Sequence, residues 1–301
     1  MRMFQPILLA GTEMASEAHR KLYGLLTRFR TIPGCIGDYE IFGEKHAIGE
    51  IEEIIVGSGT LDREAYIDCR LMNLIIQTFY NSIFEEAFSM VRAIGASVFD
   101  CLLYVKQHPE LYSPRVRQIT DEFVSETTDG LFDTFEQAND YVLTPEIFER
   151  YLGGELGTNE LLKHQALLFS EFGDVSQLLF TSIKGSLAKR NWLSQDIVHY
   201  LDDLERFTVL RKMDLFDNAE AVNSATFDYD FDAIRDADYL IDSNSYPPSR
   251  TPIGFDFFHD EAQQKHIANQ VRVYSNTPGG LGRLIQRSNL KLMFRDFAKS
   301  C

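Results

Sequence analysis

The sequence predicts an α+β protein that is mainly helical, on three observations. Short apolar or β-branched runs at 4–10 and 50–56 indicate strands near the start. Apolar residues then recur at helical spacing through much of 60–220. From residue 221 onward, apolar and polar residues alternate as they do in half-buried strands. We therefore expect a strand-helix-strand region at 1–59, a helical domain at 60–220 and a small α+β unit at 221–301.

The first region is predicted to begin with a buried strand that stops at Gly11-Thr12. A helix is expected from Glu17 to Arg30, and residues 31–43 are expected to form a loop or a short extended piece because they contain Pro33 and three glycines. The β-branched run 50–56 stops at a glycine and predicts the second strand.

The helical domain is predicted from capping residues and apolar spacing. Thr60 is a candidate N-cap, with Asp62 and Glu64 in the first turn of the helix that follows. Further helix starts are predicted at four places: Thr144-Pro145, Thr158, Asp174 and Ser194.

The C-terminal unit is predicted to contain two strands, at 226–231 and 253–257, joined through a proline-rich loop at 246–252. A helix is expected over 260–271. His259 and His266 do not have the spacing of a zinc-binding helix, so we interpret them as surface histidines.

Charge and composition exclude several classes of protein. The net charge of −16 argues against general binding to nucleic acid, which is a polyanion. No apolar run approaches the length of a membrane span, and the start lacks the apolar core of a signal peptide, so we expect a cytoplasmic protein. The four cysteines are too far apart in sequence for a zinc or iron–sulfur motif: Cys35, Cys69, Cys101 and Cys301.

The positive charge is concentrated near the C-terminus, where residues 272–300 carry six basic side chains and one acidic one. Glycines at 279, 280 and 282 precede a basic series that recurs every fourth position: Arg283, Arg287, Lys291 and Arg295. Arg283 and Arg287 are therefore candidates for an anion-binding or partner-binding patch. The alternative, which we favour, is a solvated helix face behind a capping loop.

A second candidate site is the turn Gly11-Thr12-Glu13, because ligands bind at the carboxyl ends of strands in α/β proteins. Taken alone, such a turn is more often a helix cap.

That turn belongs to a series of short sequence segments, called phrases below, which occur in a fixed order along the chain. The phrases are residues 7–14, Tyr23-Gly24, Arg30, residues 33–39, 50–54, 61–70 and 79–81, together with Leu281-Gly282-Arg283. Together they resemble the C-terminal region of radical S-adenosylmethionine (SAM) proteins that carry a cobalamin-binding domain.

The resemblance implies that residues 1–59 are the end of a (β/α) partial barrel. It also implies that Gly11, Thr12 and Glu13 lie near bound SAM, with Ala10 where the family has proline. The CxxxCxxC motif that holds the [4Fe-4S] cluster is absent from this sequence, so we expect no cofactor on this chain alone. SAM, the cluster and cobalamin belong to the complete family enzyme.

The predicted function is therefore a C-terminal segment or accessory subunit that is not catalytic alone, and no catalytic residue or metal ligand is assigned. Its expected partner is an N-terminal radical SAM and cobalamin-binding polypeptide, and self-association through the strand at 4–9 is the other contact we expect. A helical binding or scaffold protein derived from such an enzyme is the alternative, and a truncated gene product is a third.

Overall fold

The computed structural model describes residues 5–216, 222–236 and 247–300, and these form two compact units. We call Arg2–Asn73 with Thr120–His164 the hairpin unit, and Leu74–Ile119 with Gln165–Cys301 the helix-rich unit. Each unit combines segments that are distant in sequence. The described part of the chain is α+β and mainly helical, as predicted.

The hairpin unit is built on two long antiparallel strands, β1 (Leu26–Ile41) and β2 (Glu44–Gly57). Helix α1 (Glu17–Tyr23) precedes them, and α6 (Phe135–Leu143) and α7 (Pro145–Leu152) pack against them. Three helices contribute residues to both units: α2 (Arg63–Phe79), α5 (Pro114–Asp129) and α8 (Glu160–Ser170). The core contains Ile54, Val56 and Tyr66, which are almost fully buried.

In its described residues, the helix-rich unit has seven α-helices and a small sheet. The helices are α3 (Glu85–Ala93), α4 (Val98–Gln107), α9 (Phe172–Lys189), α10 (Gln195–Lys212), α11 (Phe231–Asp236), α12 (Glu261–Tyr274) and α13 (Pro278–Arg287). The antiparallel sheet has the order β3 (Asn223–Phe227), β4 (Ile253–Phe258), β5 (Asp296–Lys299). The ring of Phe207 lies within about 6 Å of five sheet-side rings, those of Phe227, Phe231, Phe255, Phe257 and Phe297.

The parallel strand order of a barrel does not form in the described part of residues 1–59. Ile7 makes an antiparallel bridge with Ile54, and the Leu8 amide donates to the Glu53 carbonyl at 2.8 Å. Because β1 pairs with the other edge of β2, this point of β2 is bordered on both sides. Phe4 lies outside the described residues.

The predicted helix at 17–30 is correct only as far as Tyr23. Gly24 adopts a left-handed conformation with φ of 58° and caps the helix through its amide, after which the chain enters β1. Of the two conformations predicted for 31–43, the loop is wrong, because these residues extend β1 as far as Ile41.

A bulge and a tight turn explain why residues 31–43 resemble a loop in sequence. Between Thr31 and Ile36 the register against β2 shifts, so the segment with Pro33 and Gly34 bulges from the ladder instead of ending it. The hairpin turn consists of Phe42 and Gly43, both with positive φ, as a two-residue type I′ turn requires.

The strand predicted at 226–231 lies instead at Asn223–Phe227, and Phe231 begins α11. Several other boundaries agree with the sequence. Ser194 accepts a hydrogen bond from the Ile197 amide and caps α10, while Asp260 and Gln263 form a capping box before α12. Helix α2 is capped by Asp62, which accepts from the Ala65 amide, and not by Thr60. Helix α9 begins two residues before Asp174 and α8 begins two residues after Thr158.

Among the described residues, no single helix is long and apolar enough to cross a membrane. Residues 82–93 and 98–107 pass the same criteria only as a pair, with a bend of 115° between them.

Candidate functional site

A pocket of about 270 Å³ lies within the hairpin unit. Four aromatic side chains contribute to its wall: Tyr66, Phe132, Tyr141 and Tyr151. Six charged residues also line it: Arg30, Lys163, Glu126, Asp129, Glu155 and Glu160. Its size is near the lower end for small-molecule sites.

A buried ion network borders the pocket. Arg30 of β1 lies opposite Glu52 of β2 in the sheet register, and its Nε donates to Glu52 Oε1 at 2.7 Å. Nη1 of the same arginine lies 3.3 Å from Glu160 Oε1, at the start of α8. Arg70 of α2 donates to the same Glu160 oxygen. The network therefore joins β1, β2, α2 and α8, and two of its guanidinium groups contact the same carboxylate oxygen of Glu160.

The network leaves polar atoms without partners. The Arg70 side chain is 9% exposed and its Nε has no hydrogen-bond partner among the described residues. Both arginines donate to Oε1 of Glu160, and neither donates to Oε2 among the hydrogen bonds of the described residues. Buried polar atoms are usually satisfied, so unpaired ones beside a cavity indicate a place where a ligand or water could bind.

Two tyrosines position their hydroxyl groups at this network. Tyr66 lies one turn before Arg70 on α2 and accepts a hydrogen bond from Gln5. Burial raises the pKa of Tyr66, while the charges of Arg70 and Arg30 lower it only in part. The Tyr151 hydroxyl lies 3.1 Å from that of Thr31, and burial raises its pKa as well. Both phenols are therefore neutral hydrogen-bonding groups near pH 7.

A second charged group is formed at the junction of α5 and α8. Lys163 pairs with Glu126, and the neighbouring His164 is fully buried. Burial lowers the pKa of His164, whose Nδ1 donates to the Glu160 carbonyl at 2.8 Å. Its Nε2 has no hydrogen-bond partner among the described residues.

Thr127 carries the clearest unsatisfied group of the pocket wall. Its side chain lines the pocket, the residue is only 5% exposed, and its Oγ1 has no hydrogen-bond partner in the described part of the chain. A hydroxyl in this position can donate one hydrogen bond and accept others.

The turn predicted to lie near SAM is placed elsewhere in the same unit. Gly11 adopts a positive φ of 80°, the Thr12 hydroxyl donates to the Leu9 carbonyl at 2.7 Å, and Glu13 begins a short 3₁₀ helix. The Glu13 side chain is 85% exposed. None of the three residues lines the pocket described above.

The predicted basic series does not form one helix face. Arg283 and Arg287 are exposed on α13, but the helix ends at Arg287. Lys291 pairs with Glu85 at 2.6 Å, and Arg295 is buried, where it donates to the carbonyls of Leu210 and Met213.

The loop before that helix is packed rather than open. A Cβ on Gly280 would lie 2.0 Å from the Tyr274 carbonyl oxygen, so this glycine is required for close backbone packing. Of the two histidines interpreted as surface residues, His259 is buried and bonds to the Met293 carbonyl, while His266 is half-buried.

The cysteines do not provide the donor set of an iron–sulfur cluster. Cys35 is half-buried, Cys69 is exposed and Cys101 is buried, and among the described residues no three potential ligands gather into a metal-binding group. Cys301 lies outside the described residues. Burial raises the pKa of Cys101 to about 11, so this thiol stays protonated near neutral pH.

Comparison with protein-family profiles gives no match for this sequence, and no curated protein matches it.

Most of the pocket was not predicted from the sequence. Tyr66 and Arg70 are four residues apart, and Glu160, Lys163 and His164 lie within one turn and a half of each other, so each set shares one helix face. This spacing was the available signal. No short-range sequence pattern indicated that these faces of α2 and α8 would meet the β1–β2 hairpin at one cavity.

Proposed function

We propose that this chain is the substrate-facing C-terminal segment or accessory subunit of a cobalamin-dependent radical SAM enzyme. In this proposal the cluster and cobalamin are carried by another polypeptide. The hairpin unit then contributes the pocket wall, not the barrel strands.

One observation carries the proposal. Residues from four separate phrases of the family resemblance lie together at the pocket or its ion network: Arg30, Pro33, Glu52, Tyr66 and Arg70. These phrases were recognised as ordered sequence, without reference to any contact between them. Their convergence on one cavity supports a shared role in forming a binding site.

The residues present do not fit a radical SAM cluster, so no chemical step is derived through it on this chain. For Gly11, Thr12 and Glu13, proximity to SAM remains a prediction from resemblance. The N-terminal partner polypeptide and self-association through residues 4–9 also remain predictions. Ile7 and Leu9 are about half exposed or more, which leaves apolar surface beside that segment.

A binding protein derived from such an enzyme is the second candidate function. It is favoured by the fact that every residue lining the pocket belongs to the hairpin unit. Such a pocket needs no second polypeptide to complete its wall.

Co-expression with the polypeptide encoded immediately upstream separates the two candidates. We expect that polypeptide to contain the cobalamin domain and CxxxCxxC, to co-purify with this chain under anaerobic conditions, and to form 5′-deoxyadenosine from SAM. Substrate turnover should require both chains. An upstream frame without these motifs, or two chains that do not associate, would overturn the subunit proposal and favour the binding protein.

A control for the assignment of the cluster uses this chain alone. After anaerobic incubation with iron and sulfide, we expect no stoichiometric [4Fe-4S] cluster and no SAM cleavage. A cluster that supports SAM cleavage would show that the division of cofactors between two polypeptides is wrong.

A further inference from the structure

We propose that the pocket of the hairpin unit binds a small organic cation, an alkylammonium ion. The inference rests on the proposed function only in taking this pocket as the ligand site, and it does not depend on radical SAM chemistry. It applies equally to an accessory subunit and to a binding protein.

The charge of the lining is the first argument. Two cations, Arg30 and Lys163, face four carboxylates, those of Glu126, Asp129, Glu155 and Glu160. Both cations are already paired: Arg30 with Glu52 and Glu160, and Lys163 with Glu126. An anionic ligand would have to compete with these carboxylates for the same donors.

The carboxylates, in contrast, retain acceptor capacity. Asp129 accepts from the neutral Ser125 hydroxyl at 2.8 Å and has no cationic partner among the described residues. Among the described residues Glu155 pairs with Arg150 alone, and both side chains are more than half exposed, so solvent screens this pair. Glu160 Oε2 accepts no hydrogen bond from a guanidinium group in the described part of the chain. A positively charged ligand would find acceptors without displacing an internal cation.

The aromatic wall is the second argument. Tyr66, Phe132, Tyr141 and Tyr151 line the cavity, and the rings of Phe132 and Tyr141 lie 5.1 Å apart at 41°. Aromatic faces carry partial negative charge and stabilise a desolvated ammonium group placed beside them. Aromatic rings together with carboxylates favour an organic cation over a hydrated metal ion.

The unsatisfied Thr127 hydroxyl is the third and independent argument. It is nine-tenths buried, lines the same cavity and has no hydrogen-bond partner in the described part of the chain. Burying an unpaired hydroxyl is unfavourable, which favours a ligand with a polar group that can reach it. The cavity of about 270 Å³ has room for an aminoalcohol but not for a dinucleotide.

The test compares choline with its neutral isostere, 3,3-dimethyl-1-butanol, by isothermal titration calorimetry on the full chain. The two probes have nearly the same shape and differ in charge. We expect choline to bind at least tenfold more tightly than the isostere, with ethanolamine measured beside them to compare primary and quaternary ammonium groups. Equal affinity for the isostere, binding of acetate in preference to both amines, or no binding of either amine would overturn the proposal.

Variants locate the site. Asp129→Asn and Tyr141→Leu should each weaken choline binding about fivefold, because they remove a free carboxylate and one aromatic face. Glu146→Gln is the matched control, since Glu146 is exposed on α7, carries the same charge and does not line the pocket. If Glu146→Gln weakens binding as much as Asp129→Asn, the attraction comes from the net charge of the surface and the pocket assignment is wrong. Failure of these titrations leaves the co-purification experiment unaffected, so the two proposals are tested separately.

Discussion

The buried ion clusters of the two units differ in whether their polar atoms are satisfied. In the helix-rich unit, Lys212 is fully buried and donates to Glu86 Oε2 at 2.5 Å and to the Ile83 carbonyl. Its Nζ also lies 4.8 Å from the centre of the Phe294 ring, and Arg211 Nη1 donates to Glu86 Oε1 at 3.1 Å. Every oxygen of this carboxylate is therefore used.

The cluster of the hairpin unit uses the same chemistry and is incomplete. Arg30 and Arg70 share one oxygen of Glu160, Arg70 Nε has no partner among the described residues, and the cavity adjoins Glu160. A satisfied cluster stabilises one packing arrangement, whereas an incomplete cluster beside a cavity offers groups to a ligand. The comparison identifies the hairpin unit as the location of the candidate site.

Breaking the satisfied cluster should have the largest effect on stability. Lys212→Met leaves Glu86 buried beside Arg211 alone, and we expect the free energy of unfolding to fall by about 3–5 kcal/mol. Urea denaturation followed by circular dichroism measures the change. Lys184→Met is the control, because Lys184 pairs with the half-exposed Asp202 and should cost at most about 1 kcal/mol. Equal losses in the free energy of unfolding for the two variants would mean that the buried Lys212–Glu86 pair matters no more for stability than an exposed pair.

Substitution in the incomplete cluster should reduce the free energy of unfolding by less. Glu160→Gln removes the shared acceptor, but Arg30 keeps Glu52 and the cavity admits water, so we expect a loss of about 1–3 kcal/mol. Glu155→Gln, at a carboxylate that is 66% exposed, serves as the control and should change stability by less than about 0.5 kcal/mol. A loss from Glu160→Gln as large as that from Lys212→Met would mean that both clusters are purely structural.

The satisfied cluster should also make the stability of the protein depend on pH. Burial raises the pKa of Glu86, but Lys212 and Arg211 lower it more, so the folded-state pKa lies below the ordinary value of 4.5. The unfolded chain then binds a proton more readily than the folded one, so this stabilisation is complete above pH 4.5 and is lost as the pH falls through the folded pKa. The pH dependence of stability between pH 5 and 3 should be steeper for the unaltered protein than for Glu86→Gln. Parallel curves would indicate that Glu86 is not held ionised by its partners.

The smallest effect is expected outside both clusters. Arg283 and Arg287 are exposed on α13 and have no ion-pair partner in the described part of the chain. The double change Arg283→Glu and Arg287→Glu should alter the free energy of unfolding by less than about 0.5 kcal/mol in the same denaturation experiment. If a partner is found, its affinity should fall with these changes, more at low salt than at high. If the partner's affinity does not change, Arg283 and Arg287 are solvated surface residues and not a binding patch.

The local signals of the sequence were reliable where a single helix or strand decides the outcome. The helix starts at Ser194 and Thr144-Pro145, the helical character from residue 260 and the alternation at 253–257 all predicted elements that form. The division of the chain at 59 and 220 and the roles of Gly11, Thr12 and Glu13 remain predictions.

The errors occurred where distant segments decide the conformation. Residues 31–43 contain the turn residues of a loop, yet they continue a strand because β2 pairs with Thr31 and again with 36–41. Arg30 and Glu160 are separated by 130 positions, so no periodicity could join them. Capping and side-chain periodicity act within a few residues and can be read from the sequence. Strand pairing and buried ion pairs join separate segments, so only the tertiary structure brought the pocket together.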